Sequence, residues 1–391
     1  MKLRTGLRFG LVALTAIGLT FVGATAARAD YGPQPGDIVG VGGDTPQYAL
    51  SFVADGDYSG DAGFNAVGAY NRLVVFDATA DANGRSAYTN SVTTGAASVA
   101  LNPTDVLRAG TYPVQRVSSS GAAISALLAD TRSTEVINFV FSASLPTPAQ
   151  QSQAATNGWG YLHVVEIGTD AVQIASANTT NAPAGGLSPA ELLGIYTGKY
   201  TTCNSLPDNS GGSSDTIIPL IPPSGSSIYK TFIADLTTAN GNVAPTLSAS
   251  VKTVEQNDPT AVTGASNPAD AIVPFSAGRL ALWNDGYFHN PATVFPGSSS
   301  PLTPGIKLLS GTAPDGITAY SSPIKDYVIF RQSDTISSTP MEPGGSRNWV
   351  ETLFSNPGSV STPFVARSTG QALIAASGVT PDYQDLGNVS S

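Results

Sequence analysis

The apolar positions of the chain fall into two alternating periods. Short runs of consecutive apolar residues, the pattern of buried strands, cover Leu73 to Phe76, Val136 to Phe141, Leu162 to Ile167, Val172 to Ala175, Ile217 to Ile221 and Val328 to Phe330. Helical spacings stand between them. In the stretch Asp215 to Leu236, an apolar run broken only by Pro219 leads through Ser224-Gly225-Ser226-Ser227 into a segment with Ile228, Phe232, Ile233 and Leu236 on one side. Val114 to Val117 runs likewise into Ser118-Ser119-Ser120-Gly121 and a helix with Ile124, Leu127 and Leu128 on one face. Near Ile38, an apolar pair enters a Gly-rich turn in which Asp44 or Thr45 is expected to cap a helical segment from Tyr48 to Val53. Val136 to Phe141 ends in Ser142-Ala143-Ser144. This alternation predicts α/β layers rather than an all-β sandwich.

A strand, a Ser/Gly turn and a helix together make a device for holding an anion. The first N–H groups of a helix lack partners inside it, and the helix dipole adds partial positive charge there. Four strand ends carrying Ser, Thr and Gly are where an open α/β sheet binds ligands.

Composition changes the picture in three ways. Residues 1–29 read as a secretory signal: Lys2, Arg4 and Arg8, an apolar core Leu11 to Val22, then Ala27-Arg28-Ala29 before Asp30. That core is shorter than a membrane span needs, and no Cys at the cleavage point offers a lipid anchor, so a secreted, uninserted protein is expected. Cleavage removes four basic residues and no acidic one, taking the formal charge from -10 to -14, which argues against nucleic acid or an anionic membrane as partner. A small anion is not excluded, because backbone dipoles and hydroxyls need no net positive charge to hold one. The single cysteine, Cys203, allows no intrachain disulfide and has no neighbour in sequence that would activate it. His163 and His289 lie far apart without carboxylate spacing, so no metal site, cofactor or Ser-His pair is expected.

About 360 residues after cleavage suit two lobes. The Pro/Gly/Ser-rich stretches Tyr31 to Asp37, Asn204 to Ser214 and Asn290 to Pro304 read as linkers. His163 to Asn178 reads as a long apolar passage leaving the first set of turns, and Ala271 to Trp283 as one approaching the return.

With these residues in view the chain resembles the phosphate-binding protein of bacterial phosphate ABC transporters, more closely its secreted actinobacterial members. GVGGDTPQ (40–47) resembles the family's first Gly-rich turn, SSGAAISALL (119–128) its second turn and helix, and INFVFSAS (137–144) the strand whose end carries a ligand contact. LSPAELLGIYTGKYTTC (187–203), GSSIYKTF (225–232), NDPTAVTGASNPADAIVPFSAGRLAL (257–282) and NWVETLFSNPG (348–358) follow in the family's order.

The resemblance implies a two-lobed type II periplasmic-binding fold, each lobe a mixed sheet flanked by helices, joined by two crossover hinge strands. It implies lobe 1 from residues 37–165 with 285–391, and lobe 2 from 166–284. It also implies a monomer that serves ABC-type uptake with a permease partner, and is no enzyme. The ligand-binding positions carried over are Asp44, Thr45, Ser119, Ser120, Ser142, Ser226 and Ser227. Three departures stand out. Ala143 replaces an Asp that helps distinguish phosphate from sulfate, Ser227-Ile228 replaces Gly-Thr, and an arginine expected beside that turn is missing. Asp44 adds a carboxylate where an anion would lie. The reading is a solute-binding protein for phosphate or a phosphorylated compound. The alternatives are a family member for a neutral polyol or sugar, and, more distantly, a hydrolase using Ser120 or Ser226, which lack a general base.

Overall fold

The computed structural model describes residues 32–67, 71–78, 93–94, 97–98, 104–112, 114–131, 136–288, 301–337, 348–356 and 361–391. The expected signal over 1–29 and His289 lie outside these residues. Strands β1 (Ile38–Gly42), β2 (Leu73–Val75), β7 (Phe139–Ser142), β8 (Leu162–Ala177), β9 (Ile218–Ile221), β10 (Lys252–Thr253), β11 (Ala271–Ser276) and β13 (Ser321–Arg331) form one sheet, with β12 (Ile306–Leu308) and β14 (Thr380–Gly387) added against β8. Two small antiparallel pairs, β3 (Thr93–Thr94) with β4 (Ala97–Ser98) and β5 (Thr104–Asp105) with β6 (Val114–Gln115), stand apart from it. The helices are α1 (Gln47–Asp55), α2 (Ser120–Ala129), α3 (Pro148–Thr156), α4 (Pro189–Tyr196), α5 (Ser227–Ala239), α6 (Thr260–Thr263), α7 (Ala277–Asn284), α8 (Asp334–Ser337), α9 (Trp349–Leu353) and α10 (Ser368–Ala376). No helix among the described residues is long and apolar enough to cross a membrane.

The sheet has two ends of like construction. At one, β1 pairs in parallel with β2 and β7; at the other, β9 pairs in parallel with β10 and β11. Between them run β8 and β13, antiparallel to each other over nearly the whole of β13. The first part of β8 pairs with β14, and its last part with β11 and β12. These two long strands belong to both lobes of a two-lobed α/β molecule. The two runs Leu162 to Ile167 and Val172 to Ala175 are therefore parts of one strand. The strand that runs back along β8 is β13, and Ala271 to Trp283, read as approaching the return, forms β11 and α7 ahead of it.

The core follows from strand alternation. Ile38, Phe139, Phe141 and Phe330 face α1, α9 and α10, with Leu50, Phe52, Val350 and Leu373 buried against them. Val39, Val41, Val140 and Ile329 face the other way onto Ile124, Leu127 and Leu128 of α2. Both faces are covered, which is why these strands read as unbroken apolar runs. In the second lobe Ile228, Phe232 and Leu236 of α5 pack with Leu192, Ile195 and Tyr196 of α4 against Val172, Ile174 and Ile272. Each such side chain taken from water contributes about 1.5–3 kcal/mol, so the spacing of that stripe is what seats α5 on the sheet. On the opposite face, Val273, Phe275, Leu280 and Trp283 form the remaining cluster. Ile306 packs with Val273 and Phe275, and Leu309 and Tyr320 pack with Ile174 and Ile272.

Candidate functional site

The strand ends carry the turns that the sequence singled out, and four helices begin beside them. Ser119 caps α2, its side chain accepting from Ala122 N; Ser226 caps α5, its Oγ accepting from Tyr229 N at 3.1 Å. Ser276 caps α7 at the end of β11, accepting from Arg279 N at 2.9 Å. These caps are local consequences of sequence, since serine in an extended conformation satisfies an N–H the helix cannot. The first helix differs. Pro46 stands at the N-cap of α1 with no side-chain bond, so neither Asp44 nor Thr45 caps it as expected.

The turns meet in pairs across the sheet. Thr45 Oγ1 and Ser227 Oγ lie 3.0 Å apart and share a hydrogen bond. Ser120 Oγ accepts from Ala143 N at 2.9 Å, tying the second turn to the end of β7. A Cβ on Gly43 would stand 2.9 Å from Ser120 Oγ, so that close approach requires glycine. A Cβ on Gly225 would stand 3.8 Å from Ser119 Oγ, and one on Gly121 would stand 3.6 Å from Lys230 Nζ. The starts of α2 and α5 therefore face each other, with an ammonium beside them. Ser142 is turned onto its own loop: its Oγ donates to Ser144 O at 2.6 Å and accepts from Ser144 N at 3.0 Å. Of the seven expected residues, Thr45, Ser119, Ser120, Ser226 and Ser227 come together as hydroxyls and helix starts. Ser142 stands behind them.

Asp44 is the main correction. Its Oδ1 accepts from Gln47 Nε2 at 2.7 Å and Arg279 Nη2 at 3.1 Å; its Oδ2 accepts from Gln256 Nε2 at 3.0 Å and Asn257 Nδ2 at 2.6 Å. Arg279 Nη2 also donates to Asp44 O at 3.0 Å, and its guanidinium lies 4.3 Å from the Tyr48 ring centroid. The cation that offsets Asp44 thus comes from α7. Burial works against the charge of Arg279, but Asp44 and then Tyr48 outweigh it and hold the group above its ordinary pKa. Burial also raises the Tyr48 phenol, which stays a neutral donor. The sequence signal for Arg279 was a lone charge in the apolar run Ala277 to Trp283, right after a capping serine. A buried charge in such a run requires a partner.

A second acidic group lies under the site. Asp170, on β8, accepts from Ser276 Oγ and from Gly278 N at 2.8 Å, and so braces the start of α7. Burial raises its pKa against those hydrogen bonds. Tyr327 pairs with Ser142, so Asp326 is the next residue along β13 beyond the end of β7. Asp326 is fully buried and neither of its oxygens has a hydrogen-bond partner. Burial, then the charges of Asp170 and Glu166, push its carboxyl well above the usual range.

Away from these turns, His163 does find a carboxylate. Its Nε2 meets Asp385 Oδ1 at 2.6 Å, and Ser355 Oγ donates to Asp385 Oδ2 at 2.5 Å. Ser355 Oγ also lies 3.4 Å from His163 Nε2, so the fold forms a Ser-His contact that was not expected, and serine, histidine and carboxylate make one cluster tying β14 to β8. Cys203 is buried among Leu192, Ile195 and Leu206, and burial, then Asp270, pushes its thiol up to about 11. Among the described residues no group of His, Cys, Asp and Glu could hold a metal ion.

Comparison with known proteins agrees with this architecture. No curated protein matches the chain. Among solved structures, a Clostridium perfringens protein with bound phosphate, assigned to the substrate-binding components of phosphate ABC transporters, superposes with a TM-score of 0.50 at 12% identity, covering 88% of this chain and 99% of its own. An ABC-type phosphate transport receptor from Vibrio cholerae gives a TM-score of 0.47 at 12% identity, covering 88% of this chain and 99% of that one. At such identity the first likeness establishes the fold. A family model described as the PBP superfamily domain matches residues 77–332, well over half of the sequence, and the chain belongs to that family.

Proposed function

We propose that this protein is an exported solute-binding protein that takes a small oxyanion, phosphate or a phosphorylated compound, between its lobes for ABC-type uptake. The observation that carries the reading is the convergence of the turns before α1, α2 and α5, with the Thr45–Ser227 bond joining the first lobe to the second. Thr45, Ser119, Ser120, Ser226 and Ser227, with the first N–H groups of α2 and α5, supply donors, and Lys230 supplies the adjacent positive charge. Ser142 and Asp44 act one step back, the first shaping the loop after β7 and the second holding Arg279. The Clostridium perfringens structure, named as a phosphate ABC transporter substrate-binding protein with bound phosphate, supports this choice of ligand. Lobe 1 is taken as the residues before the middle of β8 and after the middle of β13, lobe 2 as those between. Ligand binding favours the closed arrangement about these two strands. No catalytic role is assigned, since no serine in the turns has a general base beside it.

Equilibrium dialysis against labelled phosphate, sulfate and a panel of sugars tests the proposal. Retention of phosphate with micromolar or better affinity supports it. Retention of a sugar and not of phosphate would replace it with the polyol reading. Export is tested by the N-terminal sequence of the secreted protein, expected to begin at Asp30.

A further inference from the structure

The donors gathered around Asp44 form a site of the kind an oxyanion would occupy, and the chain fills it with its own carboxylate. One guanidinium and three side-chain amides converge on two oxygens, and all four donors are buried. Three of them come from beyond the first lobe. Gln256 and Asn257 follow β10 at the far end of the sheet, and Arg279 lies on α7. The acceptor sits on the turn after β1. Asp44 is therefore bonded to elements on both sides of the crossing strands.

We infer that Asp44 is an internal anion that latches the lobes together, so that closure does not depend on a ligand. The inference rests on the hinge-closure reading given above. A buried ion pair has a large desolvation cost, and it is favourable only where geometry is good and the remaining lone pairs are bonded. Both conditions hold here. The Arg279 and Asp44 side chains are 5% and 1% exposed, and each carboxylate oxygen accepts two bonds. Parting the lobes breaks the bonds from Gln256 and Asn257 and returns the carboxylate to water, so the pair has two discrete states.

The latch is also wired to the hinge. Asn257, which donates to Asp44, accepts from Ser276 N at 3.0 Å. Ser276 in turn donates to Asp170 on β8, and Asp170 faces Ile324 of β13 across the ladder. A continuous chain of hydrogen bonds thus runs from the first turn to the strands that must bend.

A consequence for ligand choice follows. Arg279 and its companion amides are engaged by Asp44, so an incoming anion is left with hydroxyls, helix N–H groups and Lys230. It must also lie near a fixed negative charge.

Small-angle X-ray scattering and distance measurements between one label on α3 and one on α5, made without added ligand, test the latch. The parent protein is expected to be compact. Asp44→Ala and Asn257→Ala are expected to raise the radius of gyration and lengthen the distance, lowering the closed-to-open ratio by about tenfold or more, as loss of a charge-assisted bond implies. Near-ultraviolet circular dichroism shows whether each variant has folded. If Asp44→Ala does not fold, Asn257→Ala and Gln256→Ala, each removing one donor, carry the test. A parent protein already as extended as the variants, or folded variants as compact as the parent, would overturn the latch. The oxyanion reading is judged separately by phosphate retention: it fails if none is retained, whichever way the scattering falls.

Discussion

Thr45 and Ser227 are 182 residues apart in sequence, and their hydroxyl oxygens are 3.0 Å apart in the folded chain. Thr45 belongs to the turn after β1, whereas Ser227 is the first residue of α5, whose apolar stripe packs in the other lobe. Either oxygen can be the donor, so the pair can offer one free O–H to a ligand and adjust which residue offers it. Thr45→Val and Ser227→Ala are each expected to raise the phosphate dissociation constant about tenfold, the cost of one bond to a charged ligand. Dialysis with each variant checks this. Unchanged affinity with a lowered melting temperature would make the bond purely structural.

Cys203 is a buried filler in the second lobe, with a thiol pushed up to about 11. Cys203→Ser should leave ligand affinity unchanged and cost about 1–3 kcal/mol of stability, because a hydroxyl needs a partner that an apolar pocket does not provide. Thiol reagents are expected to label the native protein slowly and the urea-unfolded protein at once. Fast native labelling would contradict the burial.

Much of this architecture was legible in local pattern. Ile228, Phe232 and Leu236 are buried as their spacing required, and the serines before α2 and α5 cap them. What local pattern could not show was long-range bonding. Asp44 looked like a helix cap from its neighbours, but its partners Gln256 and Arg279 lie 212 and 235 residues away. The return strand was seen only as Val328 to Phe330, because Ser321, Ser322, Lys325 and Asp326 break its apolar run. Those polar residues are tolerated because the strand passes from one lobe to the other: Ser321 and Lys325 are exposed, and Lys325 pairs with Glu166 at 2.7 Å.

The His163–Asp385 contact fastens β14 onto β8, and its effect is pH-dependent. Burial pushes the Asp385 carboxyl up, but hydrogen bonds from His163 and Ser355 outweigh it and hold the group below its ordinary value. That stabilisation is present above the unfolded value of ~3.9 and lost as pH falls through the folded one. Asp385→Ala should cost about 1–3 kcal/mol by removing the carboxylate that both His163 and Ser355 bond. Urea titration measures the loss, and hydrogen exchange should quicken in residues 380–387 before the rest of the sheet.

The opposite sign applies to Asp326. Its carboxyl is raised well above the usual range by burial, then by Asp170 and Glu166. The folded chain therefore keeps a proton that the unfolded chain releases near ~3.9. Folding binds a proton, so stability is fullest below that value and declines as pH rises toward the folded pKa. Asp326→Asn keeps the shape and removes the titration. It is expected to be more stable than the parent at neutral pH, because an amide is neutral in both states and folding no longer has to take up a proton. Thermal melts across the acid and neutral range check the sign, since the gap between variant and parent should widen as pH rises. A gap that is constant with pH would mean that Asp326 does not titrate between the two states. A gap that narrows would mean that its carboxylate is ionised and bonded in the folded protein.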